Sequence, residues 1–417
     1  MKTTLSLFLL LIFAFNANAQ DVYGCTDPQA NNFNSDATIN DGSCTYNPTI
    51  YKPDFRFFLH GEVEETSGLI SWANGYWTHN DSGGEAVIYK LDTLSGNIIQ
   101  RISLSGATNI DWEDIAQDDD YIYVGDFGNN SGNRDDLAIY IVRKSDIPDS
   151  LDAVVSAEKI SFSYPDYPGT ISKKKENNFD CEALIASGDN LYLFSKNRGD
   201  NKSKLYSLPK LEGDYIADLL QTFNSSGLVT GADLSENGKQ LVLVGYTNHT
   251  WIPFIWLMFD FEGQDFFSGN KRRIDMLNIP ATQTEGICFI KGEKGIISSE
   301  KTTLFRPALY DFSTTQWTGE NASSMAETKL KGFNFKVYPN PLNKKKLTLL
   351  FTKLPSGNYQ VSIYDSMGIM MKMKKYKVDK KEDSYRIKMN LKHLKPGIYF
   401  VRVSGSTGTL EKKFIKE

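Results

Sequence analysis

Hydrophobic and polar positions alternate over short stretches along most of this sequence, and the alternation predicts strands. Between residues 50 and about 325, five segments begin alike and are each followed by a second apolar or aromatic run, such as YIYVGDFG or NLYLFSKN. Most repeats then show a third run. A spacing of about fifty residues is typical of four-stranded blades, whose radial repetition hides strand edges. The segments begin at Thr66, Trp112, Cys181, Gly231 and Thr284.

This pattern predicts an all-β fold class, a six-bladed β-propeller followed by a small Ig-like antiparallel β-sandwich. The sixth blade is expected from pairing between FRFFLHGEV and LFRPALYDF, which flank the repeats. A β-sandwich is the alternative for the central part, but it does not explain the period. The 25 Phe, 21 Tyr and 32 Gly residues fit many short strands joined by tight turns.

After Phe335 the chain shows seven short strand-like runs separated by turn signals such as Pro339-Asn340-Pro341. Four ordered motifs, VYPNP, LPSGNY, YDSMG and LKPGIYFV, resemble the type A C-terminal sorting domain of the type IX secretion system of Bacteroidetes. A generic Ig-like carbohydrate-binding domain is the alternative. The resemblance implies passage through the periplasm, recognition by the outer-membrane machinery, and release or surface attachment through lipopolysaccharide.

The N-terminus has the pattern of a cleaved signal peptide. An apolar run from Leu5 to Phe15 precedes the small-residue site Ala17-Asn18-Ala19, so cleavage is expected between Ala19 and Gln20. Such a run spans only about half of the roughly 30 Å hydrocarbon core of a membrane. We therefore expect a secreted or outer-membrane surface-attached protein without a transmembrane segment.

The four cysteines fall into two kinds. Cys25 and Cys44 bracket a segment rich in Asp and Asn with little apolar content, so a disulfide is expected in an oxidising compartment. Cys181 and Cys288 lie in apolar runs and are expected to be buried free thiols. The bracketed segment resembles short modules of exported Bacteroidetes proteins. Its polar residues either bind calcium or form Asx turns, and turns in a structural spacer are the preferred interpretation.

Together these features divide the chain into five parts. The predicted parts are a signal peptide (1–19), a disulfide-closed module (20–49), the propeller (50–325), a linker (326–334) and the sorting domain (335–417).

Charge is distributed unevenly along the chain. Residues 331–417 contain 20 basic and 6 acidic residues, a net charge of +14, whereas residues 1–330 contain 26 basic and 45 acidic residues, a net charge of −19. An acidic body repels nucleic acid and attracts cations, so no nucleic-acid partner is expected. The basic end can meet an anionic envelope surface.

The acidic starts of the repeats supply candidate site residues. If these starts are the innermost strands, Glu113, Glu182 and Glu285 occupy equivalent positions and converge on the central channel, with Ser67 and Ala232 in the other two repeats. Converging carboxylates raise one another's pKa or bind a hard cation, so Ca²⁺ or another hard cation is expected in the channel. The alternative is that they accept hydrogen bonds from the next blade and serve packing.

Further candidates follow the predicted strands. Asp81, Asp114 and Asp126 lie at loop positions, where they either join the cation site or form turns. His79 is the candidate general base or metal ligand, and a satisfied strand histidine is the alternative. Four tryptophans either stack on a sugar at the propeller mouth or belong to blade cores. They are Trp77, Trp112, Trp251 and Trp256.

The central motifs HNDSG, DWEDIA, VGDFGNN and TGADLS resemble a family of uncharacterised exported bacterial β-propellers, and more distantly phytase-like and NHL-type propellers. Propellers host both binding proteins and hydrolases, so the resemblance concerns fold rather than activity. Nucleophile-elbow, zinc-protease, phosphate-loop and dinucleotide-binding motifs are missing from the sequence, and no nucleotide cofactor is expected.

These observations leave three functions open. The first is a secreted or surface-attached propeller that binds a glycan, peptide or envelope component with a cation in its channel. The second is a calcium-dependent hydrolase of phosphoesters or esters, of phytase-like type, and the third is a purely structural surface protein. The sequence does not decide whether the protein is an enzyme.

Overall fold

The computed structural model describes residues 21–318 and 334–417, apart from 172, 277–278, 280–281, 344, 355, 366–369, 380–381 and 406–407. The predicted signal peptide with its Ala19–Gln20 cleavage site, and most of the predicted linker, lie outside these residues. In the described chain the one α-helix is Thr315–Thr318, and short 3-10 helices occur at Gly61–Val63, Lys144–Asp146 and Lys174–Glu176. No helix among the described residues has the length and hydropathy needed to span a membrane.

Four short strands precede the first repeat. They are β1 (Tyr23–Gly24), β2 (Ile39–Asn40), β3 (Thr49–Ile50) and β4 (Asp54–Phe58).

The repeats form antiparallel sheets that we number as blades. Blade one contains β5 (Thr66–Trp72), β6 (Gly75–Asn80), β7 (Val87–Asp92) and β8 (Ile98–Ser105). Blade two contains β9 (Trp112–Gln117), β10 (Tyr121–Asp126), β11 (Ala138–Arg143) and β13 (Glu158–Ser163), with β12 (Asp152–Ser156) between the last two in sequence.

The remaining blades follow the same plan. Blade three contains β14 (Cys181–Ser187), β15 (Asn190–Ser195), β16 (Ser203–Pro209) and β18 (Asp218–Phe223), with β17 (Gly213–Ile216) inserted. Blade four contains β19 (Leu228–Leu234), β20 (Gln240–Tyr246), β21 (Pro253–Phe259) and β22 (Asn270–Asp275). Blade five contains β23 (Thr284–Lys291), β24 (Lys294–Ser299) and β25 (Ala308–Ser313).

The innermost strands β5, β9, β14, β19 and β23 contact one another in sequence order, and β23 contacts β5, which closes a ring. An all-β propeller is thus confirmed, but within the described residues it has five blades and not the predicted six. The predicted closing pair does form, with Phe58 opposite Ala308 and Asp54 opposite Asp311. It completes blade five, because β4 adds to β25 as an outermost strand and brings no innermost strand of its own.

Three strands cross to a neighbouring sheet. β12 pairs in parallel with β8 of blade one, β17 pairs with β13 of blade two, and β3 pairs with β22 of blade four. Each covers an outer edge that would otherwise present unpaired backbone groups. Each crossing strand therefore links two neighbouring blades of the ring.

Apolar side chains from facing sheets form the core between blades. One cluster joins Ile70 and Trp77 of blade one to Trp112 and Ile122 of blade two, all essentially buried. Close approach at the axis needs a small residue, since a Cβ on Gly68 would lie 2.6 Å from the backbone nitrogen of Ile115. Trp77 and Trp112, which belong to this buried cluster, are core residues, as the alternative interpretation predicted.

The C-terminal part forms two facing sheets, in agreement with the predicted small sandwich. One sheet has the order β26-β27-β30 and the other β29-β28-β31-β32. Leu347, Val361, Val401 and Phe414 lie in the core that the sheets share. The strands are β26 (Asn334–Tyr338), β27 (Lys346–Leu354), β28 (Gly357–Asp365), β29 (Met370–Val378), β30 (Glu382–Asn390), β31 (Gly397–Gly405) and β32 (Gly408–Lys416).

The N-terminal module is closed by the predicted disulfide between Cys25 and Cys44. Asp41 Oδ1 accepts a hydrogen bond from the backbone of Ser43, as expected for an Asx turn. The module packs on blade four, where Arg272 donates to Gln29 Oε1 at 2.7 Å. These contacts favour the spacer interpretation of the module.

The two free thiols, Cys181 and Cys288, are buried as predicted. Burial raises the pKa of both thiols well above the usual value, and thiol reagents attack the thiolate. We expect no reaction of the native protein with Ellman's reagent within an hour, and two thiols per chain after unfolding in guanidinium. Rapid modification of the folded protein would contradict the packing of these strands.

Candidate functional site

A cavity of about 460 Å³ opens at one end of the propeller channel, where innermost strands begin and second strands end. We call it the channel cavity. Its walls come from blades two to five and from the loop between β6 and β7 of blade one. The lining residues include Asp81, Glu113, Glu182, Lys196, Tyr246, Trp251 and Glu285.

A β-bulge sets the direction of the key side chains. In blades two to five the register skips one residue of the innermost strand, and in blade one it is irregular between Ser67 and Ile70. Bulges re-aim side chains and are common beside active sites. The skipped residues are Glu113, Glu182, Thr230 and Glu285. The position equivalent to the glutamates is thus Thr230 in blade four, and assigning it to Ala232 was wrong by two residues.

The bulge residues have two different roles. Ser67 and Thr230 donate hydrogen bonds to backbone carbonyls of the next blade, at Glu113 and Thr284. Glu113, Glu182 and Glu285 instead line one cavity, and each keeps one carboxylate oxygen that is buried without a hydrogen-bond partner. The two hydroxyl residues connect blades, whereas the three glutamates, for which the packing alternative was proposed, have unused acceptors.

Glu113 is the centre of the acidic groups. Its carboxylate forms a set with those of Asp81 and Asp111, in which one oxygen atom from each residue lies within 4.8 Å of the other two. A second set of the same kind joins Glu113 to Asp180 and Glu182. Gly128 lies beneath, and a Cβ there would overlap the carboxylates of Glu113 and Asp111. The small residue makes room for their convergence.

Two basic side chains neutralise the second set. Lys196 Nζ lies 2.8 Å from Glu182 Oε2, and both side chains are almost fully buried. Arg198 lies 3.2 Å from Asp180 Oδ2. Among ion pairs of the described residues none includes Asp81, Asp111 or Glu113, so no basic side chain is paired with the first set.

Burial and mutual repulsion raise the pKa values of these acids. Burial and then the charge of Asp111 raise the pKa of Asp81 to about 6, and burial and then Asp180 raise that of Asp111 to about 6. Burial, with Glu182 next, raises the pKa of Glu113 well above its ordinary range. Burial opposes the charge of Lys196, but Glu182, Tyr246 and Glu285 together outweigh it and keep the pKa of the lysine well above its usual value. A cation would relieve this repulsion.

Three predicted site residues, Asp114, Asp126 and His79, are not among the residues that line the channel cavity. Asp114 follows Glu113 on one strand and points to the other side, where it accepts backbone hydrogen bonds from Ile115 and Leu184. Asp126 is paired with Arg134 at 3.1 Å. Both carboxylates organise backbone and loops around the cavity.

His79 also lies outside the cavity. Its ring is fully buried and meets Trp112 edge-on, with ring centroids 5.4 Å apart. Nδ1 lies 3.0 Å from the carbonyl oxygen of Asn80. This is the position of a packed strand histidine, and burial lowers its pKa to about 4.

The lowered pKa of His79 predicts acid sensitivity. The unfolded histidine has a pKa of about 6.5, so between pH 6.5 and 4 the unfolded state binds more protons and stability falls as the pH falls. Between pH 7.5 and 5 the contribution of His79 is a loss of about 2 kcal/mol. We expect His79→Phe to remove this part of the pH dependence in urea unfolding. Equal pH dependence in the variant and the wild type would refute the assignment.

The sequence interpretation missed Asp111, Asp180, Lys196 and Arg198. A signal for the two acids was present, since Asp111-x-Glu113 and Asp180-x-Glu182 repeat the same spacing. Each aspartate lies just before an innermost strand, and one of its oxygen atoms lies within 4.8 Å of an oxygen of the glutamate two residues on. Lys196 and Arg198 carry no such signal, because the first and third positions after the second strand hold no Lys or Arg in the other blades.

Comparison with known proteins identifies the C-terminal part. Residues 336–417 match the family described as the secretion system C-terminal sorting domain. No curated protein matches the chain. The predicted sorting domain is therefore confirmed, and the chain is an exported extracellular or cell-surface protein that interacts with the type IX machinery.

Solved structures show only distant similarity. An exo-β-1,3-galactanase from Phanerochaete chrysosporium is 10% identical with a TM-score of 0.40, covering 91% of this chain and 98% of that chain. A GH43_1 enzyme from Xanthomonas citri is 10% identical with a TM-score of 0.38, covering 62% and 90%. A putative 6-phosphogluconolactonase from Bacteroides fragilis is 14% identical with a TM-score of 0.33, covering 77% and 86%. These similarities are too low to carry an argument about function.

Proposed function

We propose that this exported propeller is a binding protein whose channel cavity holds a hard divalent cation, Ca²⁺, between Asp81, Asp111 and Glu113. The observation that carries the proposal is the set of three carboxylates, each of which places one oxygen atom within 4.8 Å of an oxygen of the other two. Glu113 is 3% exposed, and its Oε1 is buried without a partner. A buried, unpartnered carboxylate is costly unless a cation or a donor reaches it.

The chemistry of the set fits calcium. Ca²⁺ takes oxygen ligands at about 2.3–2.6 Å, so ligand atoms on opposite sides of the ion are about 5 Å apart. Three carboxylates leave coordination positions for water or for ligand oxygens entering from the cavity. The second set is a weaker candidate, because Lys196 and Arg198 already neutralise Glu182 and Asp180.

A hydrolase is the second candidate, and one observation favours it. Glu113 and Glu182 belong to one cluster, yet burial raises the pKa of the first well above its ordinary range while the second is paired with Lys196. Two carboxyl groups in such different surroundings are what general acid and base catalysis requires. A bound cation would in addition lower the pKa of its water.

Calorimetric titration tests the cation. The mature protein is freed of metal with a chelator and titrated with CaCl₂, and its melting temperature is measured with and without calcium. We expect saturable heat and a higher melting temperature. Absence of both at millimolar calcium would refute the cation site.

Turnover separates the two candidates. The calcium-loaded protein is incubated with a phosphoester, a lactone and a panel of glycans, with Glu113→Gln as the matched control. Calcium binding without turnover supports the binding protein. Turnover that is lost in the variant supports the hydrolase.

A further inference from the structure

One aromatic side chain at the channel cavity differs from the other candidate tryptophans. Trp77 and Trp112 are fully buried, and Trp256 donates its indole N–H to the carbonyl of Ser225. Trp251 is 42% exposed and lines the channel cavity. It lies parallel to Tyr246, with ring centroids 5.2 Å apart and planes 5° apart. The pair leaves a flat aromatic surface at the cavity wall.

Unused acceptors lie in the same cavity. Glu285 Oε2 and Glu182 Oε1 are buried without hydrogen-bond partners. The two residues are 3% and 1% exposed, respectively. The amide side chains of Asn248 and Gln283 also line the cavity. A ligand that satisfies these buried oxygen atoms must supply hydrogen-bond donors.

We propose that this wall of the channel cavity binds the sugar ring of a glycan, stacked on Trp251 and donating its hydroxyl groups to Glu285 and Glu182. A pyranose or furanose ring presents an apolar C–H face and a rim of hydroxyl donors. The aromatic surface matches the C–H face, and the two carboxyl groups match the hydroxyl donors. The inference deepens the proposed binding function by naming the ligand class.

The charges around the cavity disfavour an anionic ligand. Lys196 and Arg198 are already paired, with Glu182 and Asp180. Lys174 also lines the cavity, but a phosphate would meet the carboxyl groups of Asp81, Glu113, Glu182 and Glu285 there as well, which disfavour it. A quaternary ammonium group could also use an aromatic face beside carboxylates, and the experiment includes it.

Saturation-transfer NMR with the full mature protein in calcium tests the inference. The probes are methyl glycosides of glucose, galactose, mannose, xylose and arabinose, with sorbitol as an acyclic polyol and choline as a cation. We expect transfer to the ring protons of at least one glycoside and none to sorbitol. Binding of choline alone, equal transfer to sorbitol, or no transfer to any glycoside would overturn the inference.

Two variants and a control locate the site. Trp251→Ala is expected to bind the active glycoside about tenfold more weakly, and Glu285→Gln to bind it more weakly as well. Phe58→Ala removes an aromatic side chain of similar exposure, 46%, from the outermost strand of blade five and should bind normally. Wild-type affinity in a folded Trp251→Ala protein would refute the stacking site.

The result is separable from that of the cation proposal. Trp251 is not among the proposed calcium ligands, so Trp251→Ala should titrate with calcium as the wild type does. Calcium binding without any glycoside binding refutes the sugar site alone. Glycoside binding by a protein that takes no calcium refutes the cation site alone.

Discussion

Replacing Glu113 by Gln abolishes the stabilisation by calcium that we expect for the wild-type protein. Glu113 belongs to both carboxylate sets, so the variant removes the shared charge and leaves the backbone bulge in place. At a calcium concentration one hundred times the dissociation constant, the wild type should gain about 2.7 kcal/mol, and the variant close to nothing. Thermal unfolding with increasing calcium measures the difference.

The metal-free variant supplies an internal check. Because a buried acid becomes a neutral amide, metal-free Glu113→Gln should be at least as stable as the metal-free wild type. Glu158→Gln, an exposed change on β13, should keep the full calcium response. An unchanged calcium response in Glu113→Gln would remove this residue from the site.

Replacing Lys196 by Met should destabilise the propeller by about 3–5 kcal/mol, since it leaves the buried Glu182 without its partner. Lys196 Nζ lies 2.8 Å from Glu182 Oε2, and the side chains of Lys196 and Glu182 are 6% and 1% exposed. The double variant Lys196→Met/Glu182→Gln should recover most of the loss, because no buried charge is left. Urea unfolding followed by tryptophan fluorescence measures both.

An exposed ion pair provides the matched control. Lys301 pairs with Glu64, and their side chains are 52% and 43% exposed. Lys301→Met should cost less than about 1 kcal/mol, because solvent screens such a pair. A Lys196→Met variant as mild as this control would show that the charge of Glu182 is compensated elsewhere in the cavity.

The fold was largely predictable because blades repeat. Each innermost strand carries a similar start, and the segments FRFFLHGEV and LFRPALYDF were correctly paired. The number of blades was not predictable in the same way. Pairing of two flanking strands looks identical in sequence whether they complete an existing sheet or form a new one, and the closed contact between β23 and β5 decides for five.

The site was predictable only in part. Equivalent positions in the repeats identified Glu113, Glu182 and Glu285, which line one cavity. Asp114 and Asp126 were predicted as site residues because they were expected in loops that follow strands. They do not line the cavity, because such a position does not show which way a side chain points. Asp111 was recoverable from its spacing to Glu113, since side chains alternate along a strand.

By itself the sequence determined the class of the fold, the export domain, the disulfide and the kind of residue that enters the channel. These follow from local alternation, ordered motifs and repeat position. Only the tertiary structure decided that Lys196 neutralises Glu182, that Glu113 stays unpaired beside Asp81 and Asp111, and that Trp251 is the exposed tryptophan of the cavity. The reason is physical: charge compensation and exposure depend on neighbours from other blades, and no local pattern encodes the distances between them.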